Sequence, residues 1–261
     1  FTQCHKTNAQ NADLKIWEEP KPDGVYVMGA DPAYGSSDNA DRFALDVFRC
    51  YADRLIQVAE YCTEDITTYQ FAWIIAHLGG AYRNIWLNLE ITGPGSAVVT
   101  EMMHLQRSAA QIPVSEQRTL QDVLPAIRHY FWQRPDTMYS GPGKSMHTQM
   151  NESIKRAILN SYKDSFEVGR MEVKSTELIN EMRSVVNDEG SIAAAGRGKD
   201  DRVMASALAH WIWIQSVKGN MLTQRRTYAF ERARAQMAVG TTHQLQRSVM
   251  NYLKYSGIKV Q

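Results

Sequence analysis

Gly24-Val25-Tyr26-Val27-Met28-Gly29-Ala30-Asp31-Pro32-Ala33-Tyr34-Gly35 is a short apolar run that ends on a carboxylate and then breaks. Val25 to Met28 are strand formers without helical periodicity. Pro32 biases Asp31 toward extended geometry and removes a backbone N–H, so the strand is expected to end there. Asp31 then stands at the carboxyl end of a buried strand, where open α/β sheets place their ligands. Taken alone, an Asp in such a place is more often a turn former.

The segments on either side give it a context. Residues 1–20 read as a polar lead-in, closed by Pro20-Lys21-Pro22. After a loop at 34–40, Arg42 to Cys50 and Arg54 to Cys62 read as two strands joined by Tyr51-Ala52-Asp53, an antiparallel hairpin. Thr63-Glu64-Asp65 offers a helix start, and Phe71, Ile74, Ile75 and Leu78 recur at helical spacing until Gly79-Gly80. Asn84 to Ile91 is a second buried strand, with Glu90 at its end. Thr92 to Ser96 breaks it, and Ala97 to Leu105 reads as a helix. Further on, a short strand is expected within 111–119, a Gly/Pro loop over 137–145, a helix over 146–159 and a strand over 166–173. A helix over 175–185 is capped by Ser175 or Thr176, and a tight hairpin spans 186–192. A strongly apolar helix covers 200–215, its polar residues Arg202, Ser206 and His210 forming one stripe. The order implies a mixed sheet flanked by helices, an α/β fold.

The chain has 261 residues and a formal net charge of +1. It begins with Phe1, without a signal-peptide pattern, and reads as a segment that starts inside a longer protein. No apolar run approaches the roughly 18 residues of a membrane span. Cys4, Cys50 and Cys62 are odd in number, widely spaced and without a CxxC, which speaks against a disulfide framework or zinc site. From Val217 onward there are eight basic residues and one acidic, a net charge of +7, so the remainder carries −6. An acidic body beside a basic helical extension suits a cation-holding core next to a surface for a polyanion or acidic partner, or simply a solvated basic helix.

Three acidic positions stand out. Asp31 and Glu90 each end a buried strand, and Asp200-Asp201 opens a buried helix. Carboxylates gathered at the rim of an apolar sheet repel one another and need a proton or a cation to coexist. Several such oxygens form a hard site suited to Mg²⁺ or Mn²⁺, and two such ions would clamp the attacking water and leaving oxygen of a phosphodiester. Helical geometry puts Asp201 nearer the centre of the buried face than Asp200, and spacing does not decide which of them would bind an ion directly. Gly141-Pro142-Gly143-Lys144-Ser145 lacks the first glycine of a phosphate loop, since Met138 stands there. It reads as a loop, with Lys144 a candidate phosphate contact.

Three segments together resemble the C-terminal nuclease domain of the large terminase subunit of tailed bacteriophages. They are Gly-Ala-Asp-Pro-Ala-Tyr-Gly at 29–35 with Asp41 following, Leu-Glu-Ile-Thr-Gly-Pro-Gly at 89–95, and Gly-Lys-Asp-Asp-Arg-Val-Met-Ala-Ser-Ala-Leu-Ala at 198–209. The last is the most specific, and the similarity runs over residues 21–216. The resemblance implies an RNase H-like fold and a metal-dependent endonuclease that cuts concatemeric double-stranded DNA with two Mg²⁺ or Mn²⁺ ions. It makes Asp31, Glu90, Asp200 and Asp201 the catalytic and metal-binding residues, with Asp41 a weaker candidate. Arg197, Lys199 and Lys144, and more weakly Arg225 and Arg226, are candidate DNA contacts. A portal protein, a small terminase subunit and the cytoplasm of an infected host are the implied setting. The family's N-terminal packaging ATPase has no counterpart here, because the chain carries no Walker A motif. Residues 217–261 do not map onto the family pattern. Two rivals stay open: another RNase H-like enzyme, such as a junction resolvase or transposase, and a non-catalytic module that docks a portal through the basic extension.

Overall fold

In the structure, a computed structural model, residues 12–34, 41–107, 147–188, 191–194 and 199–236 are described. The core is a sheet whose strands follow the order β1-β4-β3-β2-β5: β1 (Leu14–Ile16), β2 (Tyr26–Asp31), β3 (Phe43–Cys50), β4 (Leu55–Thr63) and β5 (Ile85–Leu89). β2, β3 and β4 form an antiparallel meander, and β5 returns parallel to β2. The return requires a crossover, supplied by α1 (Thr68–Tyr82). A two-residue strand, β6 (Met171–Glu172), adds to β4 in parallel.

Period-two alternation divides the sheet into two buried faces. Tyr26, Met28 and Ala30 of β2 pack with Phe71, Ile75 and Tyr82 of α1 and with Val98 and Met102 of α2 (Gly95–Arg107). Val27 and Phe48 face the other way. They pack with Ile158 and Tyr162 of α3 (Glu152–Glu167), Leu178 of α4 (Thr176–Ser184) and Met204, Leu208 and Ile212 of α5 (Asp201–Ile212). Because Asp31 has the parity of Val27 and Gly29, its side chain belongs to the α5 face. A two-stranded hairpin, β7 (Val185–Asp188) and β8 (Ser191–Ala194), connects α4 to α5.

Several boundaries differ from expectation. Part of the polar lead-in is structural: β1 pairs with β4, and Trp17 donates to the Val58 carbonyl at 2.8 Å. α1 starts later, because Thr63 completes β4 and Thr67 with Gln70 forms a capping box. It also runs through Gly79-Gly80, anchored by Tyr82, whose ring meets Tyr26 edge-on at 4.9 Å and whose hydroxyl donates to the Glu18 carbonyl. α3 begins only after the Asn151 cap, because 147–150 lies along the end of β5, with Thr148 bridging Glu90. α3 continues through Phe166, and Gly169, at φ 70°, turns the chain, so only two residues of the strand expected over 166–173 form. The helix over 200–215 ends at Ile212 and passes into a π-helical turn, Trp213–Val217, followed by α6 (Lys218–Thr223).

The polar stripe of α5 is not a solvent face. Ser206 and His210 are fully buried, bonded to the Tyr162 hydroxyl at 2.9 Å and to Ser165 at 2.8 Å. Partners on α3 replace water, so α5 is buried nearly all round. The strand expected within 111–119 and the loop at 137–145 lie outside the described residues.

Candidate active site

Asp31 and Glu90 occupy equivalent places on neighbouring parallel strands. Ala30 pairs with Leu89, and the Glu90 amide donates to the Ala30 carbonyl at 2.9 Å. Both carboxyl groups enter the same cleft, close enough to act on each other's charge. Asp31 is pushed well above the ordinary carboxylate range by burial first and then by the charge of Glu90 and of Asp201. Glu90 is raised by burial, which the nearby Lys155 ammonium opposes.

The third contribution arrives with the N-terminus of α5. Asp200 is its cap residue and Asp201 its first helical residue. Asp201 is buried and raised by desolvation, against which the Arg42 guanidinium works from 3.0 Å. Asp200 accepts from Lys155 Nζ of α3 at 3.2 Å. Asp31, Asp41, Glu90, Asp200 and Asp201 all line one cleft of about 320 Å³, with Pro32, Tyr34, Arg42, Thr92, Gly93 and Lys155. The turn after Glu90 shapes its wall: a Cβ on Gly95 would fall 1.7 Å from the Glu90 carbonyl oxygen and 3.3 Å from the Pro32 ring. Tyr34 stands at the rim, 84% exposed. A larger groove of about 500 Å³, lined by Leu159, Phe166 and Met182, holds no such cluster of acids.

Of the cations expected to hold DNA, those among the described residues do not line the cleft. Lys199 pairs with Glu64 at 3.5 Å and does not line the cleft. Arg226 bonds Glu231 at 2.6 Å and the Asp23 carbonyl at 2.8 Å, so it sits beside the start of β2, about 20 Å of strand away from Asp31. Arg225 is exposed on the same turn. Lys144 and Arg197 lie outside the described residues. The cations that do enter the cleft, Arg42 and Lys155, were not legible as such. Arg42 reads as the start of a strand, and Lys155 is one of several charges on an amphipathic helix.

The donor set is all oxygen and anionic, which suits a hard divalent cation. Among the described residues no three His, Cys, Asp or Glu side chains already stand as a metal cage. Lys155 on Asp200 and Arg42 on Asp201 partly balance the acids as they are. A cation fits by taking the place of these partners.

No family model and no curated relative matches the chain. Among solved structures it is similar to the large terminase nuclease from thermophilic phage G20c, at 17% identity and a TM-score of 0.51 over 78% of this chain and 89% of that one. The magnesium-bound form of that nuclease aligns at 18% identity and 0.51, over 77% and 87%. The large terminase nuclease domain of Thermus phage P74-26 aligns at 16% identity and 0.50, over 79% and 89%. At these identities the likeness is one of architecture: the chain has the RNase H-like α/β fold of large terminase nuclease domains.

Proposed function

We propose that this chain is the DNA endonuclease of a viral packaging terminase, hydrolysing phosphodiesters in double-stranded DNA with divalent cations. The observation that carries the reading is the convergence of Asp31, Glu90, Asp200 and Asp201 on one cleft at the carboxyl ends of the adjacent parallel strands β2 and β5. A nuclease of the same fold has been solved with bound magnesium, which supports the choice of cation. Asp31, Glu90, Asp200 and Asp201 would hold the cation or pair of cations, with Asp41 at the margin. When bound, such cations supply an activated water and neutralise charge on the phosphodiester.

The chain's own residues prepare that chemistry. Asp31 and Glu90 lie side by side on adjacent strand ends, where burial disfavours their charges and a bound cation would offset them. Lys155, released from Asp200, stays within the cleft as a positive charge for a phosphate oxygen. Arg42 steadies Asp201 from the opposite wall. Tyr34 and the Thr92-Gly93-Pro94 turn form the rim over which a backbone would pass. By the same reading, a portal protein and a small terminase subunit are the partners.

Plasmid digestion with Mg²⁺, Mn²⁺ or EDTA tests this. Wild-type chain is expected to nick and linearise DNA with either ion and not with EDTA. Asp31→Ala, folded by circular dichroism, is expected to lose cleavage. Equal cleavage by the variant would overturn the assignment.

A further inference from the structure

We infer that Glu181, a carboxylate of α4 outside the acidic cluster, is a positioning residue that keeps both Asp200 and Asp201 turned into the cleft. The inference rests on the reading of those two acids as cation ligands.

The first turn of a helix leaves backbone N–H groups without intrahelical partners, and Asp at the cap position ordinarily satisfies one with its own side chain. Asp200 holds the cap position of α5 and makes no such bond. Its carboxylate points instead to Lys155 in the cleft. The N–H of Arg202, the second residue of the helix, donates to Glu181 Oε2 at 3.0 Å. The cap is therefore supplied from a different helix, and Asp200 is free for other work.

The second oxygen of Glu181 acts on Asp201. Oε1 accepts from Arg42 Nη2 at 2.6 Å and from Arg202 Nη1 at 2.6 Å. Arg42, anchored this way, directs its Nε to Asp201 Oδ2 at 3.0 Å. Arg202 in turn reaches Glu60 at 3.2 Å, which fixes the base of the bridge to the sheet. The Glu181 side chain is 11% exposed, so water does not easily replace these bonds. Without it, the Arg202 N–H loses its acceptor, and the nearest replacement is the carboxylate of Asp200 itself. Asp200 then caps its own helix and leaves the cleft, while Arg42 loses the partner that orients it.

Titration of Mn²⁺ into wild type, Glu181→Ala, Glu181→Gln, Asp200→Ala and the Glu181→Ala/Asp200→Ala double variant tests this without DNA. Glu181→Ala is expected to weaken binding by about tenfold. Glu181→Gln, which keeps an amide oxygen for the cap but turns its NH2 toward Arg42 and Arg202, is expected to recover part of that loss. In the Asp200→Ala background, Glu181→Ala should lower affinity much less than it does alone. It should lower the apo Tm more there, because no cap remains. Wild-type affinity in Glu181→Ala, or a full additional loss in the double variant, would overturn the inference while leaving the proposed function standing. A wild type that binds no Mn²⁺ would overturn both. Should Glu181→Ala not fold, Glu181→Asp, too short to reach the helix, takes its place with the same expected loss.

Discussion

Lys155 and Arg42 decide how the carboxylates rest. Each pairs with one acid of the α5 N-terminus, and both pairs are mostly shielded from water. An incoming cation competes with Lys155 for Asp200, so removing the ammonium removes a competitor. Lys155→Met, which keeps the aliphatic stem, is expected to tighten Mn²⁺ binding by about fivefold, the equivalent of about 1 kcal/mol for a partly exposed pair. Calorimetric titration checks it, and equal or weaker binding would show that the ammonium does not compete. The acids themselves were legible, because each ends or begins an element with a sharp composition break. Lys155 was not, because nothing local marks one lysine of a helix as facing acids from three other segments.

At the scale of elements, the approach of α5 to β2 fixes the distance between the two halves of the site. Gly29 makes it possible: a Cβ there would lie 1.9 Å from the Ala205 carbonyl oxygen and 2.5 Å from the Ala209 nitrogen. Both are helix backbone atoms and cannot yield without moving the helix. Gly29→Ala is expected to cost about 2–3 kcal/mol of stability, read as a lower midpoint in urea with unchanged slope. Because α5 carries Asp200 and Asp201 while β2 carries Asp31, the same change should weaken Mn²⁺ binding in the folded fraction. Asn88 locks the third element to the same helix, donating to the Leu208 carbonyl at 3.0 Å and accepting from Thr148 at 2.9 Å. Fully buried, it ties β5, α5 and the 147–150 segment into one frame.

Across the molecule, a buried polar layer runs between the sheet and α5. Asp46 of β3 lies opposite Glu60 of β4, and both are buried. Asp46 accepts from Gln57 at 2.7 Å, while its other oxygen and one of Glu60 lack partners among the described residues. Asp46 is held well above its ordinary value of 3.8 by burial and then by Glu60. Glu60 is raised above 4.5 by burial, against Ser175 and Arg202. Raised folded values mean that the folded chain keeps protons that the unfolded chain has released. The stability of this pair is therefore full below pH about 4 and falls as pH rises through the raised folded values. Asp46→Asn keeps the acceptor for Gln57 and adds a donor for Glu60. It is expected to raise stability at pH 7 by about 1–2 kcal/mol and to flatten thermal stability between pH 4 and 7. A profile as steep as that of wild type would show that the slope arises elsewhere. At the far end of the sheet the described part of the basic extension is pinned by Glu231 and Arg49. Glu231 thereby ties the extension to Arg49 of β3.

By itself the sequence determined β2 to β5 and the acids at the ends of β2 and β5, because alternation, breaks at Pro and Gly, and carboxylates at element boundaries are local properties. Period two puts Asp31 and Glu90 on one face only in the register that pairs Ala30 with Leu89. Only the tertiary structure decided the partners. Ser206 and His210 look like a solvent stripe until α3 supplies hydroxyls to them, and Gly79-Gly80 looks like a stop until Tyr82 finds Tyr26. Arg226 carries no local mark of its partners, Glu231 and the Asp23 carbonyl. Asp31 ends a strand in the sequence and becomes one member of an acidic cleft only when α5, β5 and Lys155 converge on it. Most of those pairings join residues on different elements, 44 to 203 positions apart, and no local periodicity encodes them.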